Sequence, residues 1–241
     1  MFAKIRPYRE GGIRLEYENI KDKHIFHNYG HGSSGVALAY GSAFMSLKQL
    51  SVHVKDDEIN KCAVIGAGLI GLLTANELAK LGFNVTLYSK HPIQTNNHRS
   101  STQMDDGLWL PFGYDFSSNR LLYELLSKIS YEYYKDCRKV GKYQSIKVAT
   151  IYERDRAIAD LKKIIPPFLY NAYKKVDVEF KTGVKESYIK FRTFKINMEM
   201  FVEELKVESL LRGVKFVQTN FKNIDEVLKL DENVVFNCTG F

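Results

Sequence analysis

Several features are scarce or missing in this 241-residue sequence. Its three cysteines, Cys62, Cys137 and Cys238, are widely separated and form no CxxC pair. This argues against a disulfide framework or a metal site and favours buried thiols in a reducing compartment. No apolar run approaches the roughly 20 residues needed to cross a bilayer. The first ten residues, MFAKIRPYRE, lack the hydrophobic segment of a secretion signal. We therefore expect neither membrane insertion nor secretion.

The composition is that of an ordinary globular protein, with 45% hydrophobic and 26% charged residues. Its 35 lysines and arginines exceed 28 acidic residues and give a net charge of +7. The basic residues are interleaved with acidic ones, which predicts a solvated surface and no nucleic-acid binding. The length allows one domain or two.

Hydrophobic periodicity predicts alternating strands and helices, the pattern of an α/β fold. We predict strands over 13–18, 24–28, 62–65, 83–88, 145–152, 177–196, 214–218 and 234–238. We predict helices over 36–54, 69–81, 119–140, 197–212 and 223–230. A polar turn is expected over 19–23, and the charged segment 55–61 is the best candidate for a linker.

The motif Gly66-x-Gly68-x-x-Gly71 lies between a predicted buried strand and a predicted helix, where a dinucleotide-binding fingerprint is found. The first glycine permits a tight turn, the second lets the backbone approach a pyrophosphate, and the third lets helix and strand pack closely. The helix N-terminus then supplies N–H groups for the phosphates. The residues that we expect to contact the cofactor here are Gly66, Ala67, Gly68, Leu69, Ile70 and Gly71.

One part of this fingerprint differs from the usual pattern. An acidic residue normally follows the second strand and binds the adenosine ribose. Here Ser89, Lys90 and His91 occupy that place. We therefore expect ribose recognition to be weak or to come from elsewhere.

Further segments point to a particular family. They are RPYR (6–9), IRLE (13–16), NYGHGSSG (28–35), DGLWLPF (106–112), GVKF (213–216) and NCTG (237–240). Together with the glycine motif they resemble the D-amino-acid oxidase family, which is FAD-dependent and includes D-aspartate oxidase. The resemblance implies a Rossmann-like FAD-binding fold of the glutathione-reductase type. It also implies a partial antiparallel substrate-domain sheet at about 140–196.

The order of these segments differs from that of the family. Residues 1–54 resemble the family's C-terminal motif, whereas 62–241 resemble the FAD-binding domain that begins the family's chains. We expect a circular permutation joined through 55–61, which is plausible where native termini lie close together. The family's middle block, which supplies much of the substrate-domain sheet, has no counterpart here. A homodimer and a second polypeptide that supplies this sheet both stay open.

The resemblance also implies roles for individual residues. Arg6 matches the arginine that clamps the substrate carboxylate, a task suited to a planar guanidinium. Ser33 matches a glycine whose carbonyl meets the substrate amine, so its side chain is expected to crowd the site or strain the loop. Residues that match backbone beside the flavin ring are Gly32, Ser34, Gly35, Val36, Ala37, Gly107, Leu108 and Trp109. Those that match contacts of the cofactor phosphates and adenine are Ser101, Thr102 and Phe221.

Plainer interpretations of these residues remain. Trp109 and Phe221 are equally suited to core packing, and Ser101 and Thr102 to a polar loop. The histidines of the 27–31 segment match family positions of mainly structural role, and their spacing fits no common zinc pattern. We therefore expect no metal ligand set.

The implied activity is oxidative deamination of a D-amino acid, by hydride transfer to FAD with O₂ as acceptor. The alternatives are a non-catalytic FAD-binding protein and one subunit of a split oxidase. An NAD-dependent dehydrogenase is disfavoured, because nothing here resembles a nicotinamide half-site. The family is often peroxisomal, but Thr239-Gly240-Phe241 is not an SKL-type address, so we expect a cytoplasmic protein.

Overall fold

Two β-sheets organise the residues that the computed structural model describes, which are 9–55, 61–91, 106–110, 116–154 and 167–239. The strands are β1 (Arg14–Ile20), β2 (Lys23–Tyr29), β3 (Lys61–Ile65), β4 (Asn84–Ser89), β5 (Asp106–Leu108), β6 (Ile146–Arg154), β7 (Lys174–Glu179), β8 (Lys185–Asn197), β9 (Lys215–Gln218) and β10 (Val234–Asn237). The α-helices are α1 (Gly35–His53), α2 (Leu69–Lys80), α3 (Phe116–Val140), α4 (Met198–Leu211) and α5 (Ile224–Val227). Short 3-10 helices cover Gly32–Ser34 and Pro167–Ala172.

Six strands form the larger sheet, in the order β1-β2-β10-β3-β4-β9. Strands β2, β10, β3, β4 and β9 are mutually parallel, and β1 runs antiparallel beside β2. The β1–β2 turn consists of Lys21 and Asp22 alone, with φ of 49° and 65°, and is shorter than the turn predicted over 19–23. Positive φ at both residues suits a two-residue hairpin, whose twist matches that of the strands.

Apolar side chains bury both faces of this sheet. The face that packs with α1 and α2 carries Phe26, Val64, Leu87 and Phe236. The opposite face, which packs with Val227 of α5, carries Ile25, Ala63, Ile65 and Val235. Burial on both faces explains why β3 was recognisable as a continuous apolar run.

The smaller sheet is antiparallel and is built around β8. Strand β6 lies on one side of β8, and β7 and β5 lie on the other. The region predicted as strand over 177–196 is therefore two strands, β7 and β8, joined by a turn. Gly183 in this turn has φ of 78°, which favours glycine.

Two helix termini behave as the sequence predicts. The side chain of Asn197 accepts a hydrogen bond of 3.0 Å from the Met200 N–H and caps α4. Gly213 (φ 78°) and Gly82 (φ 92°) follow α4 and α2 in left-handed conformation, as C-terminal glycines commonly do.

Helices α1 and α3 approach each other closely at Gly41. A Cβ there would lie 2.1 Å from the Leu126 carbonyl oxygen, and the Gly41 N–H donates to Ser130 Oγ at 2.8 Å.

No helix in the described ranges is both long and apolar enough to cross a bilayer. Residues 56–60 of the predicted linker lie outside the described residues, whereas Lys61 already belongs to β3.

Candidate functional site

The carboxyl ends of the five parallel strands meet at one edge of the larger sheet, where α/β folds bind ligands. Asn237 of β10 lies opposite His27 of β2 on one side and opposite Ile65 of β3 on the other. The glycine motif that follows β3 and the NYGHGSSG segment that ends β2 are therefore two strand spacings apart, roughly 10 Å. The structure thus brings together two segments that lie far apart in the sequence.

Hydrogen bonds tie β10 to both neighbours at this edge. The Cys238 N–H donates to the Ile65 carbonyl at 2.9 Å, and Asn237 Nδ2 lies 3.1 Å from His27 Nδ1. Asn237 Oδ1 accepts from the Thr239 hydroxyl at 2.7 Å. The Asn237 carboxamide therefore links β2 to the chain that leaves β10 beside the glycine turn.

Each glycine of the motif has a distinct physical reason to be glycine. Gly66 has φ of 105°, and a Cβ there would lie 2.7 Å from the Cys238 carbonyl oxygen. A Cβ on Gly71 would lie 1.8 Å from the Gly66 carbonyl oxygen. Around Gly68, in contrast, a Cβ would meet no atom of the described residues within 4 Å. The turn thus excludes side chains at its two ends and leaves open space in its middle, where a ligand can approach the backbone.

Two helices begin at this edge, and neither is capped by the side chain of its own N-cap residue. Helix α1 follows Ser34 and helix α2 follows Gly68, and neither residue makes a side-chain hydrogen bond to its helix terminus. Neither first turn contains an acidic residue. Both N-termini therefore present N–H groups and partial positive charge that suit phosphate or another electron-rich group.

The remaining residues of the glycine motif anchor this geometry. Leu69 is buried in the core, and Ala67 and Ile70 pack partly buried against it. Ala37 in the first turn of α1 is buried as well.

The predicted segment Gly107–Trp109 lies against the first turn of α1. A Cβ on Gly107 would lie 3.1 Å from Val36 Cγ2 and 2.8 Å from Met198 Sδ. The Tyr134 hydroxyl donates to the Val36 carbonyl at 3.0 Å, which fixes the same turn from the opposite helix. The structure therefore brings the segment 107–109 and the segment 32–37 together.

Trp109 contributes to the core, as its plainer interpretation proposes. Its side chain is 1% exposed, and its indole N–H has no hydrogen-bond partner among the described residues. Its carbonyl accepts from the Thr193 hydroxyl at 2.5 Å. Leu108, the residue before it, is 37% exposed. The backbone of Leu108 and Trp109 is thus hydrogen-bonded to β8 on one side.

Ser33 does not strain its loop, contrary to that part of the sequence-based expectation. The left-handed conformations belong to Gly30 (φ 86°) and Gly32 (φ 55°), and Ser33 has no positive φ. Its side chain is exposed. The loop therefore accommodates a serine, because the neighbouring glycines make the turns.

The end of β4 provides no acidic side chain. Ser89 Oγ donates to the His91 carbonyl at 2.8 Å, so this hydroxyl proton is already engaged in a local turn. Phe221, beyond β9, contacts the Tyr88 ring edge-on at 5.4 Å and is partly buried. The Tyr88 hydroxyl donates to Glu232 at 3.2 Å, and burial raises the pKa of Tyr88 to about 12. Glu232 precedes β10, so this carboxylate belongs to the far edge of the sheet and does not replace a ribose-binding acid.

The two histidines are held neutral by their surroundings. Asn237 Nδ2 donates to His27 Nδ1, so the His27 Nε2–H faces Glu18 at 3.2 Å, and burial lowers the pKa of His27. Ser42 Oγ donates to the Ala39 carbonyl and so accepts from His31 Nε2 at 2.8 Å. Burial lowers the pKa of His31 to about 4. Both imidazole rings therefore serve the structure, since each one hydrogen-bonds to neighbouring side chains.

Asn28 is a candidate site residue that the sequence analysis did not identify. Its side chain is fully buried, and neither its carboxamide oxygen nor its nitrogen has a hydrogen-bond partner among the described residues. Its place directly after the buried residues Ile25, Phe26 and His27 of β2 is the signal that could have identified it. Arg6, Ser101 and Thr102 lie outside the described residues. Within the described ranges, no group of three His, Cys, Asp or Glu side chains is arranged to hold a metal ion.

These features define an α/β fold with a candidate dinucleotide site at the carboxyl edge of its parallel strands. The family model described as "FAD dependent oxidoreductase", abbreviated DAO, matches residues 61–241. The chain belongs to this family of FAD-dependent oxidoreductases. Membership confirms the predicted Rossmann-like FAD-binding fold and FAD as the cofactor. The space that the described residues leave open at Gly68 and the two helix N-termini at this edge fit that group.

Individual relatives match smaller parts of the chain. A D-aspartate oxidase from Talaromyces thermophilus is 51% identical over 39 residues, which are 16% of this chain and 10% of that protein. An L-amino acid deaminase from Proteus vulgaris has a TM-score of 0.48 and 16% identity over 67% of this chain and 40% of its own. A glycine oxidase from Bacillus cereus has a TM-score of 0.47 and 15% identity over 66% of this chain and 46% of its own.

The chain thus spans less than half the length of these relatives. The family match begins at Lys61, so the N-terminal segment lies outside it. Strands β1 and β2 of that segment nevertheless complete the same sheet. The predicted circular permutation and the domain boundaries at 54 and 62 stay predictions.

Proposed function

We propose that this protein catalyses the oxidative deamination of D-amino acids, with O₂ as the final electron acceptor. The observation that carries the proposal is the meeting of three segments at one sheet edge. The glycine turn and the segment 32–37 lie on either side of β10, and Gly107 packs against Val36. The local identity to a D-aspartate oxidase supports the D configuration of the substrate.

Different segments of this chain would bind the pyrophosphate and the flavin ring of FAD. The N–H groups at the start of α2 would hold the pyrophosphate, because this end carries partial positive charge and Gly68 leaves the approach open. The peptide backbone of 32–37 and of 107–109 would flank the flavin ring. The N-terminus of α1 would favour electron density at the end of the ring nearest to it.

Substrate binding would rest on two further groups. Arg6 would hold the substrate carboxylate through its planar, bidentate guanidinium. The Ser33 carbonyl would accept a hydrogen bond from the substrate amine. When bound, FAD supplies the two-electron acceptor that takes a hydride from the substrate and is reoxidised by O₂. The chain itself then has to position the substrate Cα–H rather than to provide an acid or a base.

An anaerobic titration tests the proposal. Purified protein with FAD bound is mixed with D-aspartate, D-alanine or their L enantiomers in the absence of oxygen, and the flavin absorbance is recorded. We expect bleaching by at least one D-amino acid and none by its L enantiomer, with peroxide released when air is readmitted.

Two outcomes would contradict the proposal. Bleaching by L enantiomers alone would assign the opposite substrate configuration. Flavin that stays oxidised with every amino acid would instead favour a non-catalytic FAD-binding role or one subunit of a split oxidase, which copurification of a second polypeptide would distinguish.

A further inference from the structure

Three hydroxyl groups lie along one face of helix α3. Tyr123, Ser130 and Tyr134 are separated by about two turns and then by about one turn of α-helix, so their side chains project to the same side. All three residues are buried. Buried hydroxyls are normally hydrogen-bonded, and each of these bonds to the backbone of the segment 13–41.

Two of these hydroxyls fix the position of α1. Ser130 Oγ accepts a hydrogen bond from the Gly41 N–H at 2.8 Å. The Tyr134 hydroxyl donates to the Val36 carbonyl at 3.0 Å. Val36 lies in the first turn of α1, directly after the loop that carries Ser33. The backbone that we expect to flank the flavin ring is therefore held on α3.

The third hydroxyl holds the turn that precedes β1. The Gly12 N–H donates to the Arg9 carbonyl at 3.0 Å, and Arg9 Nη1 donates to the Gly12 carbonyl at 3.2 Å, so Arg9–Gly12 forms a closed turn. The Tyr123 hydroxyl accepts from the next N–H, that of Ile13, at 3.2 Å. A Cβ on Gly12 would lie 2.0 Å from this hydroxyl oxygen, so glycine lets the turn approach α3 closely.

The other side of this turn lies on the loop that follows β2. Gly30 has φ of 86°, and a Cβ there would lie 3.0 Å from the Gly12 carbonyl oxygen and 3.1 Å from Arg9 Cβ. The turn is thus clamped between Tyr123 and Gly30, with a glycine at each contact. Ser33 comes three residues after Gly30, so the turn packs against the start of the loop whose carbonyl we assign to the substrate amine.

We propose that Tyr123 is a positioning residue for the substrate carboxylate and acts through the Arg9–Gly12 turn on Arg6. Arg6 precedes Arg9 by three residues, a separation that the chain spans over at most about 11 Å. One clamp therefore ties the end of the segment that carries Arg6 to the loop that carries Ser33. The inference rests on the substrate roles proposed above for these two residues.

The Tyr123 hydroxyl matters because a bidentate guanidinium–carboxylate pair depends on its geometry. In Tyr123→Phe the Ile13 N–H loses its acceptor, and the turn loses the polar contact that holds it between α3 and Gly30. A misplacement of about 1 Å can cost up to about a hundredfold in rate. Hydrogen bonds within the turn remain in this variant, so we expect an effect of about tenfold.

Titration of the FAD-loaded protein with propionate measures the carboxylate contact without catalysis. Propionate is D-alanine without its amine, and its binding is followed through the flavin absorbance. Tyr123→Phe should raise the Kd for propionate about tenfold and leave the affinity for FAD unchanged. In turnover with the D-amino acid that bleaches the flavin, KM should rise by the same factor while kcat changes by less than about twofold.

Tyr133→Phe is the matched control on the same helix. Its hydroxyl donates to the Tyr143 hydroxyl at 3.2 Å and makes no bond to the Arg9–Gly12 turn. This variant loses a partly buried hydroxyl in the same way, but its Kd for propionate should equal that of the wild type.

A double-mutant cycle with Arg6→Ala separates a positioning role from a purely structural one. Removing the Tyr123 hydroxyl should have no further effect once Arg6 is absent, because the hydroxyl acts through that side chain. The Kd for propionate should therefore be the same in R6A and in R6A/Y123F, which is not the result for independent sites.

Gly12→Ala perturbs the same contact from the side of the turn. Its Cβ would overlap the Tyr123 hydroxyl oxygen, whereas the ring carbon Cζ would lie 3.3 Å away. Removing the hydroxyl should relieve this overlap. Propionate should therefore bind more tightly to G12A/Y123F than to G12A, although Y123F alone weakens its binding.

Three results would overturn the inference. They are a wild-type Kd for propionate in Y123F, an equal effect of Y123F with and without Arg6, and no relief of G12A by Y123F. A different pair of results would contradict the proposed function itself. If propionate failed to bind to the wild type, or bound equally well to R6A, Arg6 would not be the carboxylate-binding residue.

Discussion

Substitution of Gly68 by alanine should weaken FAD binding without weakening the fold. An added Cβ would meet no atom of the described residues within 4 Å, and the backbone (φ −79°, ψ −175°) is one that alanine adopts. The free energy of unfolding of the FAD-free protein should therefore change by less than about 0.5 kcal/mol. The same methyl group would occupy the space through which a pyrophosphate reaches the N-terminus of α2.

The magnitude follows from the linkage between binding and folding. At an FAD concentration of about 100 times Kd, bound FAD stabilises the folded wild-type protein by about 2.7 kcal/mol. A hundredfold loss of affinity would reduce this to about 0.4 kcal/mol at the same concentration. The rise in Tm on adding FAD should then fall from roughly 5–10 °C to roughly 1–2 °C.

Thermal unfolding with and without FAD measures both quantities. The matched control is Gly71→Ala, whose Cβ would lie 1.8 Å from the Gly66 carbonyl oxygen. This change should lower the stability of the FAD-free protein by about 1–3 kcal/mol through overpacking. Wild-type affinity for FAD in Gly68→Ala, or a large loss of its FAD-free stability, would refute the geometry assigned to the turn.

Four other changes have definite expected outcomes. Asn197→Ala should cost about 1 kcal/mol in urea unfolding, because α4 loses its N-terminal cap. Gly41→Ala should cost about 1–3 kcal/mol, because its Cβ would overlap the Leu126 carbonyl; an unchanged unfolding midpoint would contradict the close helix contact. The pKa of His31 is lowered to about 4 in the folded protein, so stability should fall as pH drops from about 6.5 towards 4, and His31→Gln should flatten this slope. Arg6→Ala should raise KM for the amino acid strongly while FAD stays bound, and loss of FAD would instead give Arg6 a role in the fold.

The glycine turn and its flanking elements were predictable because their chemistry is local. The need for glycine at Gly71 arises from the Gly66 carbonyl within one strand–turn–helix unit, and Gly66 itself takes a φ of 105° that favours glycine. The close contacts of Gly66 with Cys238 and Thr239 are long-range and could not be predicted. Helix ends at Asn197 and Gly213 were predictable because they are local as well. Caps and left-handed turns depend on a few adjacent residues.

The strand order was not predictable because it depends on long-range pairing, whereas the misses at Ser33 and Gly183 were local. Periodicity identified β2, β3 and β10 but carries no information about which strand lies beside which, so their order came from the structure. The strain expected at Ser33 was wrong because the neighbouring glycines take the left-handed conformations. The division of 177–196 into β7 and β8 was missed although Gly183 interrupts the strand pattern at the turn.

A structure of the FAD-loaded protein tests the central claim most directly. We expect the pyrophosphate at the start of α2 and the flavin ring between residues 32–37 and 107–109, across the end of β10. A flavin bound elsewhere, or a ring that leaves either of these segments without contact, would contradict it.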